Sequence, residues 1–422
     1  MQRLNLLRTL FLINFAITLG FGIADAFFST YLFSLGARGL MLGLPLVLYS
    51  LSKIVFSPVL GAWSDRVGCR KVVLLSLVLY LLVSLSYLCS ASLTILTLLR
   101  LLQGVSCAMF RPVLLSLVGS STRGGERGTV LATFDISFYG ALCLGPLLGG
   151  ILKDFWGFTG IFAAVTLLCL AALLLALFRI PGDCSFGGNL EGPADAAPLR
   201  KLLRAGRHDS YRGLLAFIFG RACGISLTGA FLPILLTGKL GLSGMRCGVV
   251  LASGTAAMTL LLRPVGILSD RAPRRLLVLL GGTAVSVLYF LIPAAPGFYQ
   301  MLLLTMAIGA FSVLSQPASS ALLVEEGSRH GMGITVGTFN AVLNLGFVVG
   351  PLIGALLQST LGLAAVFHAA GMVGLAAVAL FAAALWEPEQ VRAVPASPKT
   401  PAASSATEPP SCETVTPLSH AA

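Results

Sequence analysis

The sequence predicts an all-α membrane protein with twelve transmembrane helices in two parallel six-helix repeats. Three observations predict it. The chain is 56% hydrophobic and 10% charged, with a mean hydropathy of +0.93, whereas soluble domains carry about 25% charged residues. The apolar residues fall into runs of about 20, the length that crosses a hydrocarbon core. A set of landmarks recurs 205 residues downstream, as Gly36 recurs at Gly241, which marks an internal duplication.

Taken in order, the first six spans are predicted at 9–33, 40–62, 72–91, 93–117, 128–151 and 157–179. The first follows Arg3 and Arg8, is too long for a signal peptide and lacks a small-residue cleavage site, so it reads as a retained span. Gly61–Lys71 forms a charged turn between the second and third. Residues 1–179 thus form an N-terminal six-helix bundle. Residues 180–211 read as a cytoplasmic linker, opened by Pro181-Gly182 and Gly187-Gly188. Its Arg200-Lys201-Leu202-Leu203-Arg204 suits a short amphipathic helix on an anionic leaflet. The second six spans are predicted at 212–237, 245–267, 275–294, 298–322, 332–357 and 361–386, giving a C-terminal bundle over 212–386. Residues 387–422 are rich in Pro, Ala, Ser and Thr without apolar periodicity, which predicts a disordered tail. Gly and Pro recur within spans, as transmembrane packing tolerates.

A net charge of +12 would suggest nucleic acid in a soluble chain. Here the basic residues occupy alternate loops. Of 28 Lys and Arg, 19 fall on the side holding both termini and 4 on the other. This is the positive-inside pattern, so both termini are expected in the cytoplasm and no nucleic-acid partner is expected. The nine cysteines have no metal-ligand or redox spacing, and four histidines form no pair, triad or cluster. No metal, cofactor or enzymatic activity is expected.

The repeat serves as an internal alignment. Gly43 maps to Gly248, Pro112 to Pro317, Thr133-Phe134-Asp135 to Thr338-Phe339-Asn340, Gly145-Pro146-Leu147 to Gly350-Pro351-Leu352, and Gly157 to Gly362. Six spans per half is an even number, so both halves keep one orientation. Matched positions read as scaffold, and unmatched polar positions as candidates for function. The latter include Asp25 against Ala230, Lys53 against Met258, Arg100 against Thr305 and Arg221 against Ala16, with Asp135 against its neutral isostere Asn340.

Gly61-x-x-x-Asp65-Arg66-x-Gly68-x-Arg70-Lys71 resembles the loop motif of the major facilitator superfamily, with Cys69 where a basic residue is usual. A second copy centres on Asp270-Arg271, with Pro273 in the place of Gly68. Arg100-x-x-Gln103-Gly104 resembles the fourth-helix motif of proton-coupled members. Gly145-Pro146-x-x-Gly149-Gly150 is similar to the fifth-helix motif of drug and metabolite antiporters, although Ala132 and Ala141 replace its earlier glycines. The resemblance covers about residues 8–386. It implies a monomeric, proton-coupled exporter of small organic molecules working by alternating access, in a bacterial inner membrane. The alternative is a symporter or facilitator importing an organic anion or sugar.

Intramembrane charges are costly and each needs a reason. Asp25 could carry the proton or act as a hydrogen-bonded structural group, and so could Asp135. Lys53, about 18 Å from the turn at Asp65, pairs with a carboxylate such as Asp25 or binds an anionic substrate group. For Arg100 the resemblance implies proton coupling, against a structural network. Arg221 either snorkels or faces the cavity, and Arg111 and Arg263 read as interfacial anchors. Gly145, Pro146, Gly149 and Gly150 provide either close packing alone or a leak-tight contact between halves. In the charged turn, Arg66, Arg70 and Lys71 serve as positive-inside anchors. Asp65 reads as a cytoplasmic latch on a helix dipole or an Arg, with Gly61 and Gly68 allowing the reversal.

Overall fold

The computed structural model describes residues 2–120, 127–180, 209–330 and 332–386. The linker and tail predicted at 180–211 and 387–422 lie almost wholly outside the described residues. Eleven long helices are described: α1 Gln2–Ser34, α2 Leu40–Val67, α3 Cys69–Cys89, α4 Leu93–Ser120, α5 Arg127–Arg179, α6 Asp209–Ile234, α7 Gly244–Arg271, α8 Arg274–Leu291, α9 Phe298–His330, α10 Met332–Thr360 and α11 Leu363–Trp386. All eleven contain a stretch long and apolar enough to cross a membrane.

The fifth helix spans 53 residues. At about 1.5 Å per residue it would run about 80 Å if straight, far beyond a hydrocarbon core of about 30 Å. Gly157, with φ 65° and ψ −160°, leaves helical geometry and divides it where the sequence predicts the boundary between two spans.

Several helices run further than expected. The second continues to Val67, so Gly61, Asp65 and Arg66 are helical and the reversal falls on Gly68 alone. Gly68 adopts φ 100°, a left-handed conformation that glycine takes without a Cβ penalty. Its N–H donates to the Ser64 carbonyl at 3.0 Å. The second copy likewise continues to Arg271 and breaks at Ala272-Pro273. Charged residues do not end a helix; a left-handed glycine or a proline does.

The outer surface is apolar. Leu260 is 78% exposed, and Leu303 and Leu380 are also exposed, as suits helices facing lipid rather than water. The buried residues gather into one large cluster, including Phe27, Phe28, Phe231 and Phe367, and a second around Phe217, Val278 and Phe381.

Within the first half, α1 packs along α5, and α2 along α4. Within the second, α6 packs along α10, and α7 along α9. The halves meet through α5 with α7 and α2 with α10. Successive helices reverse direction, so the bundle has a near end, where α1 begins, and a far end, with the turns at 35–39 and 240–243.

Candidate functional site

The fourth helix brings its charge to the first. Arg100 is 1% exposed, and its Nη1 donates to Asp25 Oδ1 at 2.7 Å. The same nitrogen donates to Gln103 Oε1 at 3.1 Å, which also accepts from the Tyr87 hydroxyl at 3.0 Å. The guanidinium carbon stands 3.5 Å from the Phe28 ring centroid. A buried guanidinium is thus held by one carboxylate, one amide and one aromatic face, while its Nε has no partner. Asp25 is 34% exposed, so one side of the pair remains accessible. Gly104 lets α2 approach, since a methyl there would strike Ser52 and the Tyr49 carbonyl.

Asp25 pairs with Arg100 and not with Lys53. Lys53 Nζ lies 5.1 Å from the Tyr49 ring centroid, with no carboxylate in ion-pair range among the described residues. The side chain of Asp135 lies outside the described residues, as do those of Asp65 and Asp270. Arg66, Lys71 and Arg271 are exposed at the near end. Arg70 Nη2 donates to the Leu177 carbonyl at 3.3 Å, placing a cation on the last turn of α5, at the negative end of its dipole.

The glycine-rich stretch of α5 divides into two faces. A methyl group on Gly145 would stand 2.6 Å from the Gly22 backbone, and one on Gly149 would stand 2.8 Å from the Ile23 carbonyl oxygen. Both positions therefore pack against α1 in their own half. Pro146 and Gly150 lie one residue further, about 100° around the helix. There the Pro146 carbonyl meets Gly248 and Gly150 meets the Gly244 carbonyl, both on α7. Pro146 and Gly150 thus face α7. Gly145 and Gly149 face α1.

One turn beyond Gly150 lies Asp154, which the sequence reading passed over. Its Oδ1 accepts from Gly244 N–H at 2.6 Å and its Oδ2 from Met245 N–H at 2.8 Å. These are free donors of the first turn of α7, at the positive end of its dipole. One carboxylate thus fastens the two halves at the far end. At the other crossing, a methyl on Gly43 of α2 would strike the Pro351 carbonyl of α10.

A chain of contacts crosses between the halves. Arg221 Nη2 on α6 donates to Gln316 Oε1 on α9 at 2.9 Å, and Gln316 Nε2 donates to the Tyr139 hydroxyl on α5 at 3.1 Å. The neighbouring Phe138 ring lies 5.5 Å from that of Tyr139 and carries the Arg111 guanidinium 3.8 Å from its centroid. A cavity of about 30 Å³ beside Arg221, lined also by Phe217, Ser286 and Tyr289, has room for about a water molecule and not an organic solute.

Comparisons with known proteins agree with this architecture. The family model described as Major Facilitator Superfamily matches residues 10–262 and 214–410. The chain is 31% identical over 336 residues to Tetracycline resistance protein, class G, of Vibrio anguillarum, covering 76% of this chain and 81% of that one. It is 23% identical over 363 residues to Multidrug resistance protein 2 of Bacillus subtilis (strain 168), covering 84% and 90%. The crystal structure of nucleoside transporter NupG superimposes with a TM-score of 0.76 at 12% identity, over 90% of this chain and 99% of that one. The chain is an integral, multi-pass membrane transporter rather than an enzyme, and it belongs to the Major Facilitator Superfamily.

Proposed function

We propose that this protein exports small organic molecules in exchange for protons, by alternating access between two six-helix repeats. Gly157 supports twelve crossings, because it divides α5 into two membrane-length pieces. The repeat is supported by backbone geometry. Gly36 and Gly241, and Gly157 and Gly362, are each 205 residues apart, and all four have positive φ. The packing duplicates as well: α1 on α5 matches α6 on α10, and α2 on α4 matches α7 on α9. The close approaches at Gly150 and Gly43 shut the far end, so this state opens toward the near end, the cytoplasmic side by the distribution of Lys and Arg.

The observation that carries the reading is the Asp25–Arg100 pair. A proton delivered to the accessible side of Asp25 removes its charge and leaves Arg100 buried with only Gln103 and the Phe28 face. A lone buried cation is unfavourable, so the loaded state differs in energy from the unloaded one and can bias which end opens. The resistance proteins among the relatives favour export. The loop motif at 61–71 latches the near end in the opposite state. The protein works as a monomer in a bacterial inner membrane, needing no cofactor beyond the proton gradient.

Proteoliposomes with an acidic lumen test this reading. Antiport predicts that tetracycline, ethidium or 1-naphthoate accumulates in the lumen and that nigericin abolishes the accumulation. Accumulation only when the outside is acidic would instead establish proton-coupled import.

A further inference from the structure

Among the described residues, charge compensation along the bundle is one-sided. Asp25 is used by Arg100. Arg111 and Arg221 have no carboxylate in ion-pair range among the described residues. Among the described residues, Arg221 donates to the neutral Gln316, and its Nε is buried without a partner. Among the described residues, Arg111 meets the Phe138 face.

Arg111 is exposed, and two independent relations place it on the inward face of α4 rather than at an interfacial anchor. It follows Arg100 by eleven residues, and eleven steps of 100° bring it within about 20° of the face that Arg100 turns to α1. Its equivalent 205 residues on is Gln316, which reaches across to Tyr139 in the other half. Arg111 and Gln316 are thus matching positions of the two halves, and the cation is present in one copy only. Phe138, Tyr139 and Gln316 connect the two guanidinium groups, one from each half.

We propose that Arg111 and Arg221 form the anion-binding part of the substrate site, and that the solute carried is an amphipathic organic anion. The charged group is a carboxylate, sulfonate or phosphate monoester. Guanidinium forks bind these groups through paired N–H donors, and the partly buried fork of Arg221 binds them more strongly than it would in water. The apolar body rests near the Tyr139 ring, at the junction of the halves. Because one arginine comes from each half, the bound anion bridges elements that separate when the transporter changes state. This assignment rests on the proposal that the chain is a transporter with a central site between halves.

Full-length purified protein in detergent tests it by calorimetric titration with ring-matched probes: 1-naphthoate, 1-naphthalenesulfonate, 1-naphthyl phosphate, neutral 1-naphthamide and cationic 1-naphthylmethylammonium. At least one anion binds, and the amide and ammonium bind about tenfold more weakly or less. Arg111→Gln and Arg221→Gln each weaken the anion by about tenfold or more, the worth of one charge-assisted interaction. Arg221→Lys, which keeps the charge if the Gln variant fails to fold, loses less. Lys239→Gln, at the far end, changes nothing. Binding of none of the anions at millimolar concentration overturns the assignment. So does equal binding of the amide, or wild-type affinity in Arg111→Gln together with either Arg221 variant. Proton-driven accumulation of ethidium without anion binding sinks this assignment and keeps export. Arginine-dependent anion binding without any uphill transport does the reverse.

Discussion

Asp25 and Arg100 come from helices 75 residues apart in sequence and meet at 2.7 Å, yet one is 34% exposed and the other 1%. That asymmetry makes the two halves of the pair unequal under mutation. Asp25→Asn strands a buried cation, whereas Arg100→Gln leaves a carboxylate with access to water or a proton. Asp25→Asn is expected to cost about 3 kcal/mol, the low end for a buried pair because Asp25 is partly accessible. Arg100→Gln costs less, and the double variant recovers part of the Asp25→Asn loss. Thermal unfolding in detergent across the four proteins measures this coupling. Equal losses that add without recovery would show that the pair is not coupled.

Asp154 joins the halves at the far end by accepting two backbone N–H bonds at 2.6 and 2.8 Å. Asp154→Ala removes both bonds and the charge facing the dipole of α7. It is expected to raise the population open at the far end, since charge-assisted bonds are each worth about 1.5–3 kcal/mol. Spin labels at the exposed positions Phe155 and Met245 report this as a longer distance population. Asp154→Asn, which keeps one acceptor, lies between. An unchanged distance distribution in Asp154→Ala would remove the latch role.

The two faces of the α5 glycine stretch predict two phenotypes. Gly145→Ala presses on Gly22 inside one half and is expected to lower thermal stability by about 1–3 kcal/mol, the cost of overpacking. Gly150→Ala presses on Gly244 across the halves and is expected to shift the labelled distance in the same direction as Asp154→Ala. Identical behaviour of the two alanine variants would contradict the division into faces.

Much of the fold was legible because lipid imposes a simple rule: about 20 apolar residues per crossing, with breaks at loops. The 205-residue offset also located Gly157, whose positive φ divides α5. The extent of the helices was less legible, because charged residues such as Asp65 and Arg66 continue a helix that only Gly68 ends. For the site, the list of intramembrane charges was readable and their partners were not. Periodicity places Arg100 on a face but does not say that Asp25 waits opposite. Arg111 reads as an anchor from its nearness to the membrane edge, whereas the proposed anion site draws on its helical phase with Arg100 and its match to Gln316. Asp154 was passed over because its partners are backbone N–H groups 90 and 91 residues away, which no side-chain pattern encodes.

Proton coupling through Asp25 is the central claim, and Asp25→Asn in proteoliposomes tests it most directly. The probe is whichever of tetracycline, ethidium or 1-naphthoate the wild-type protein accumulates, assayed at a temperature where the variant remains folded. The account predicts that Asp25→Asn still exchanges labelled for unlabelled probe across the membrane but no longer concentrates it when the lumen is acidic. Uphill accumulation by Asp25→Asn at the wild-type rate would contradict it.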